Sequence, residues 1–444
     1  MLLRVGARGA APGTTTVVGP AGPWETMAVM SASSPSVAAL AARASGLPEG
    51  AVPAVARVLV WAREGRVRVG VGGWTVLVTG PRRVERLSAI WRAAVAARPD
   101  PSAPAHAWVS SVFDDASPAP AVLRVPARIL EAGSAGGEPV EVPARMTEEA
   151  LRAAVFRDAC ARLLPDDDVP LTPEDPAAAW DDAGYAAGVR EVLDRMASSG
   201  GALGKVVVSR TDTVPADEAA LWGAVEALRA QYPQTWVFAV GGLVGATPEM
   251  LATRRRGEVT SRVLAGSAPR GADADEDARN REHLATDPRL AEEHRWAARS
   301  VVEVLEPVVE LEDADPAPEV LTLPNVHHLS TSVRGRLRSA EGTVLDVVGP
   351  LHPTAAVGGT PRDAALAVIR DVEPVDRGRY AGPVGWLDET GDGEIALALR
   401  CGQQVPGGVR LQAGGGIVPG AVPEEEVAEV AAKLLPMRRA LGLA

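Results

Sequence analysis

"KVVVSRTDTV" (205–214), "ALWGAVEALRAQYP" (220–233) and "TWVFAVGGLVGATPEML" (235–251) follow one another almost without a gap. The first is an apolar, β-branched run and predicts a strand. The second has helical spacing, and the third reads as strand–turn–strand about Gly241-Gly242. Upstream, "AAGVREVLDRMASSG" (186–200) predicts a helix that stops at Gly200-Gly201. Strands and helices thus interleave without a regular βαβ period, which points to a layered α+β domain.

The same reading extends outward. "AVARVLVWAREGRVRVGVGGWTVLVTG" (54–80) predicts a hairpin broken at Glu64-Gly65, with a third strand after Gly72-Gly73. "RRVERLSAIWRAAVAAR" (82–98) predicts a helix, and "AWVSSVFDD" (107–115) and "AVLRVPARIL" (121–130) predict strands. Residues 132–145 read as an exposed loop. Downstream, 275–306 and 364–371 read as helical, and "YAGPVGWLDETGDGEIALALRCG" (380–402) as a hairpin turning at Asp388–Gly393. "VRLQAGGGIV" (409–418) predicts a strand and "PEEEVAEVAAKLLPMRRAL" (423–441) a closing helix. Residues 1–40, rich in Ala, Gly, Pro, Ser and Thr, read as an unfolded N-terminal extension, part of it from an early start codon upstream of Met27 and Met30.

Composition narrows the function classes. With 444 residues and 46% hydrophobic content there is material for a sizeable core, packed aliphatically because only three Phe and three Tyr are present. A net charge of −12 argues against a nucleic-acid partner. No apolar run reaches eighteen residues, so no membrane span is expected. The two cysteines, Cys160 and Cys401, are far apart, which fits a reducing cytoplasmic compartment and neither a disulfide framework nor a zinc site.

Candidate chemistry sits in glycine-rich turns and charged strand ends. Neither GxxxxGK[ST] nor a well-placed GxGxxG is present, and the Gly204-Lys205 pair opens a strand rather than a helix. "LAGSAPRG" (264–271), "AVGG" (356–359) and "QAGGGIV" (412–418) offer backbone N–H groups that suit a carboxylate as well as a phosphate; each alone also reads as plain turn geometry. In the last helix Glu426, Glu429 and Lys433 share one face beside an apolar stripe of Val427, Val430 and Leu434. That face is either solvated, with a Glu429–Lys433 ion pair, or a Mg²⁺ site using hard oxygen ligands. Glu292, Glu293 and His294 form a second acidic group on a helix. Lys205, at the rim of an apolar strand, is a candidate general base or a lysine reaching to solvent. Glu249, after Pro248, is a candidate general acid or an ordinary turn carboxylate. Arg400 shares a strand face with Ala396 and Ala398, which leaves room for bidentate capture of a carboxylate, or for an internal Glu.

"GKVVVSR", "VGATPEML", "LAGSAPRG", "HHLSTSVRG", "LHPTAAVGGTPRDAA", "DRGRYAGPVGW", "EIALALRCG" and "AGGGIVPGAVPEEEVAEVAAKL" occur in the order seen in chorismate-utilising enzymes. The chain resembles the isochorismate synthases of that family, densely from Lys205 to Lys433 and faintly before 190. The resemblance implies one large α/β (α+β) domain of two mostly antiparallel sheets flanked by helices, the anthranilate/aminodeoxychorismate synthase-like fold. It divides the chain into 41–190, a variable N-terminal part, and 191–440, the chorismate-binding region. It implies Mg²⁺ as cofactor and chorismate as substrate, in a monomer feeding menaquinone or siderophore biosynthesis. Lys205 then matches the base that activates water, and Glu249 the acid that protonates the departing hydroxyl. Glu293 (with Glu292 beside it), Glu429 and Glu426 match the metal site. Gly266, Ser267, His328, Ala356, Arg400, Gly414, Gly415, Gly416 and Lys433 match the substrate pocket. Ala356 stands where relatives making anthranilate, aminodeoxychorismate or salicylate typically carry threonine, and Ser267 where threonine is usual.

Overall fold

The computed structural model describes residues 35–48, 51–133, 138–166, 179–322 and 326–443. In chain order the elements begin α1 (Val37–Ser45), β1 (Val58–Arg63), β2 (Arg66–Val71), β3 (Trp74–Val78), α2 (Arg83–Ala96), β4 (His106–Ser110), β5 (Ala121–Val125), β6 (Arg128–Ala132), β7 (Val140–Val142), α3 (Glu148–Val155) and β8 (Ala161–Pro165). They continue with α4 (Asp182–Ser198), β9 (Lys205–Pro215), α5 (Glu218–Gln231), β10 (Trp236–Val240), β11 (Leu243–Thr247), β12 (Met250–Arg255), β13 (Glu258–Pro269), α6 (Ala274–Thr286), α7 (Pro288–Leu305), β14 (Val309–Leu311), β15 (Glu319–Thr322) and β16 (Val326–Leu337). The last are α8 (Val344–Leu351), β17 (Gly359–Thr360), α9 (Arg362–Val372), β18 (Pro383–Asp388), β19 (Gly393–Leu397), β20 (Cys401–Val405), β21 (Gly408–Ile417) and α10 (Pro423–Ala440).

Two sheets result. The first has the order β17–β9–β21–β20–β11–β10–β1–β2–β6–β7, the second β14–β16–β13–β12–β19–β18–β4–β5–β3–β8, with β15 also paired to β16. The described pairings are antiparallel. Helices α1, α4, α5, α9 and α10 pack on the first sheet, and α2, α3, α6, α7 and α8 go with the second. Both sheets feed one continuous apolar core, which includes Val60, Phe238 and Leu411 of the first and Trp108, Leu123 and Ile395 of the second. Strands with both faces covered need no polar alternation, which is why β9 carries Val206, Val207 and Val208 in a row.

The chain repeatedly changes sheet, and those crossings are where the sequence reading needs correction. The third strand expected within 54–80 forms, but β3 joins the second sheet while β1 and β2 belong to the first. "AVLRVPARIL" is two strands, because Pro126 has no N–H for a ladder and the chain passes there from β5 to β6. The expected loop at 132–145 contains β7, paired to β6. The helical stretch 275–306 is two helices: Asp287 accepts from the N–H groups of Arg289 and Leu290, and Pro288 opens α7. Of the expected extension 1–40, residues 1–34 lie outside the described residues, and α1 begins at Val37 with Val37 and Leu40 buried. Arg400 does not continue a strand face. β19 ends at Leu397, β20 begins at Cys401 in the other sheet, and Arg400 between them has φ +49°.

Candidate active site

Two neighbouring sheet changes build the core of the site. β11 passes to β12 through Pro248-Glu249, and β19 to β20 through Ala398-Leu399-Arg400. The crossings are tied side by side: Leu397 N donates to Glu249 O at 3.0 Å, and Ala246 N donates to Arg400 O at 3.2 Å. Half-buried Glu249 is held at this seam. Burial pushes its pKa up, against the pull of Lys205, Arg400 and Lys433. The structure therefore brings together four residues spread over more than two hundred positions.

Lys205 opens β9, where it pairs with Thr360 of β17. On its other side β9 pairs with β21, so that Gly414, Gly415 and Gly416 lie opposite Ser209, Val208 and Val207. The glycines are small because side chains occupy the space a Cβ would need. A Cβ on Gly416 would be 2.9 Å from Lys205 Cε. One on Gly415 would be 2.5 Å from Glu426 Oε2 and 3.1 Å from the Tyr185 hydroxyl. A side chain at either place would have to displace a neighbour that now fills the space.

Helix α10 lays its acidic face over these glycines. Lys433 Nζ donates to Gly414 O at 2.9 Å and pairs with Glu429 Oε1 at 2.5 Å. The ion pair expected from the i,i+4 spacing thus exists, with Glu429 exposed to solvent and Lys433 anchored on the glycine strand. Val430 and Leu434 are buried, as the apolar stripe predicts. Glu426 is half-buried, and its Oε2 is a buried oxygen with no hydrogen-bond partner. Burial first, and the charge of Glu429 second, push its pKa up. An orphaned carboxylate oxygen beside a second carboxylate fits a Mg²⁺ ion, which takes one or two protein carboxylates and completes its shell with water and substrate oxygens. Among the described residues no group of three potential metal ligands comes together. The Glu293 side chain lies outside the described residues, while its position falls within α7.

The remaining candidates divide into two places. Ala356 is exposed in the turn before β17; Gly358 O accepts from Val207 N at 2.8 Å, so this turn abuts the Lys205 strand. Gly266, Ser267 and His328 are on the second sheet. Gly266 has φ +76° and marks a bulge in the β13–β16 ladder. The Ser267 hydroxyl and His328 Nδ1 lie 2.8 Å apart. Burial lowers the His328 pKa, partly offset by a bond to the Gly266 backbone. Since Thr253 pairs with Thr260, Gly266 and Ser267 extend past the first residue of β12, the end at which Glu249 stands.

Two contributors were not read from the sequence. The Tyr185 hydroxyl donates to Val208 O at 3.1 Å and accepts from the Gly415 N–H, stitching α4 to the glycine strand beside Glu426. The other is a compositional signal: of 45 basic residues only Lys205 and Lys433 are lysine, and both fall in this site. Arginine supplies charge everywhere else. A compact ammonium in place of a planar guanidinium stands at just these two positions.

The family model for chorismate binding enzymes matches residues 150–442. The chain is 41% identical over 246 residues to the salicylate biosynthesis isochorismate synthase of Pseudomonas aeruginosa, covering 54% of this chain and 52% of that protein, about half its length. It is 35% identical over 271 residues to isochorismate synthase DhbC of Bacillus subtilis, covering 58% and 68%. Among solved structures, the menaquinone-specific isochorismate synthase MenF of Escherichia coli superposes with a TM-score of 0.62 at 25% identity, over 88% of this chain and 92% of that one. The matched stretch takes in more than half of the chain and every residue gathered around Glu249, Lys205 and α10, and the chain belongs to the chorismate-binding enzymes.

Proposed function

We propose that the protein is a Mg²⁺-dependent isochorismate synthase, converting chorismate to isochorismate. The observation that carries this reading is the convergence of Lys205, Arg400 and Lys433 on one carboxyl group, Glu249, whose burial favours its protonated form.

Lys205, as the neutral amine, takes a proton from water while the water oxygen bonds to ring carbon C2. The ring double bonds shift, and the C4–O bond breaks. Glu249, as the neutral acid, gives its proton to the departing hydroxyl, which leaves as water. One water enters and one leaves, so the product is an isomer of the substrate. Arg400 and Lys433 supply positive charge for the substrate carboxylates, and Gly415 and Gly416 leave the space that the Glu426 and Lys205 side chains occupy. Glu426 and Glu429, with Glu293, would hold the Mg²⁺. Its chemistry when bound is charge neutralisation of a carboxylate of the substrate.

Purified protein given chorismate and Mg²⁺, with products separated by chromatography, tests the reading. Isochorismate is the expected product. Unchanged chorismate, or an aromatic product with release of pyruvate, would overturn it.

A further inference from the structure

β17 is only two residues long and pairs with β9 at Lys205 and Val206, and the last backbone bond from its side is Val207 N to Gly358 O. Beyond it, the outer edge of β9 runs into the protein interior, where an unpaired backbone group is costly. A buried ion pair takes the place of the missing strand. Arg377 and Glu373 form it, with side chains 3% and 4% exposed. Arg377 Nη2 donates to Val207 O at 2.7 Å, and Ser209 N donates to Glu373 Oε1 at 2.6 Å. The other arm of the same guanidinium, Nη1, donates to Val357 O at 2.8 Å. Arg377 Nε closes the pair on Glu373 Oε2 at 2.8 Å, and the guanidinium stacks 4.1 Å above the Phe113 ring.

One rigid fork therefore grips two segments at once: the strand that opens with Lys205, and the turn that carries Ala356 next to Val357. The geometry points to the Glu373–Arg377 pair as a positioning element, which fixes Lys205 against that turn and so sets where the lysine head stands relative to Glu249. This rests on the roles given above to Lys205 and Glu249. Neither Glu373 nor Arg377 is a catalytic residue in it; both act through the backbone of β9. A lysine in place of Arg377 would keep the charge and lose the fork.

The chain's two lysines make this measurable without turnover. Labelling with [ε-¹³C]lysine gives one methylene resonance each for Lys205 and Lys433, assigned with Lys433→Arg. Glu373→Gln and Arg377→Lys are compared with Asp166→Asn. That control loosens the equally buried Arg124–Asp166 pair, whose side chains are 0% and 5% exposed. Below their melting temperatures, Glu373→Gln and Arg377→Lys are expected to move the Lys205 resonance and leave that of Lys433. They are expected to lower kcat about ten- to a hundredfold with little change in KM. Asp166→Asn is expected to lower the melting temperature while keeping both resonances and kcat. An unmoved Lys205 resonance with kcat within about twofold of wild type, in whichever of the two variants folds, would overturn the proposal. So would an equal loss of kcat in Asp166→Asn, which would make the effect one of stability. A wild-type protein that forms no isochorismate would instead sink the proposed activity, and the resonance shift would still decide the positioning role.

Discussion

A β-carbon on Gly416 would lie 2.9 Å from Cε and 3.5 Å from Nζ of Lys205, so the lysine head occupies the space that this glycine leaves open. The obstructed atoms belong to the far end of a flexible side chain, which can yield. Gly416→Ala is therefore expected to fold with nearly the wild-type melting temperature and to lose at least about tenfold in kcat, because the lysine is pushed aside. Gly359→Ala differs in kind. Gly359 has φ +148°, and its β-carbon would run into the Lys205 carbonyl oxygen, which cannot yield. Circular dichroism melts should show that variant unfolding at lower temperature, whatever its activity. Equal melts for the two variants would contradict the packing described here.

The carboxylates of α10 give a second prediction. Glu426 Oε2 is buried without a partner, and Glu429 raises the pKa of Glu426 by its charge. Turnover of chorismate is expected to require Mg²⁺ and to vanish with chelator. Glu429→Ala and Glu293→Ala should each abolish it, since a site with few protein ligands does not survive losing one. Activity in Glu293→Ala with loss in Glu292→Ala would move the ligand by one position on α7. Binding of Mg²⁺ read by calorimetry, unchanged in Glu426→Gln and Glu429→Ala, would remove the metal from this helix altogether.

How far the sequence carried this picture depended on where periodicity held. β9, β21 and α10 were legible because each is a continuous run with one pattern, and Gly200-Gly201 ended the helix before β9 as expected. Arg400 was placed on a strand face because "GEIALALR" alternates without a break. Alternation reports burial on two sides, and it persists through a crossing between two sheets that share a core. Pro126 is a breaking signal set in a run whose apolar character continues on both sides of it. The ladder substitute at Glu373 and Arg377 shows locally only as an i,i+4 ion-pair spacing, which says nothing of a strand edge. Its partners Val207, Ser209 and Val357 are far off in the chain, and only the folded edge of β9 creates the need for it. Clustering of Lys205 with Glu249, Arg400 and Lys433 was implied by the family resemblance; spacing could not give it.

Stability should depend on pH through two buried histidines. Burial lowers the pKa of His352 from 6.5 to about 4, against the opposing hydrogen bond to Ala381 O. It lowers that of His106 to about 4 as well, with Arg68 adding to the effect. The folded state thus binds fewer protons than the unfolded chain between those values. Each histidine leaves stability untouched above about pH 6.5 and removes it as pH falls toward about 4, by at most about 3 kcal/mol each. Urea midpoints measured from pH 7 to pH 4 should fall, and the fall should be shallower in His106→Gln and His352→Gln. Parallel curves for wild type and both variants would show that neither histidine titrates in this way.

In the proposed reaction Lys205 and Glu249 face opposite demands on one substrate ring: the lysine must be neutral to accept a proton from water, and the glutamate must be protonated to give one away. Composition adds a sharper test than removal of either group. Arginine serves as the cation nearly everywhere in this chain, so Lys205→Arg keeps the charge that the rest of the protein uses. A guanidinium does not release its proton near neutral pH and cannot act as the base. Lys205→Arg is therefore expected to lose as much as Lys205→Ala, at least about a hundredfold in kcat. Glu249→Gln, which keeps the shape and an N–H donor, should lose a similar amount. Chorismate binding, followed by calorimetry in the presence of Mg²⁺, should persist in all three, because Arg400, Lys433 and the Gly414–Gly416 backbone remain. Microscopic reversibility requires the same losses starting from isochorismate, where Glu249 acts as the base and Lys205 as the acid. Substantial turnover by Lys205→Arg in either direction, measured as interconversion of the two isomers by chromatography, would show that charge rather than proton transfer is what this position provides.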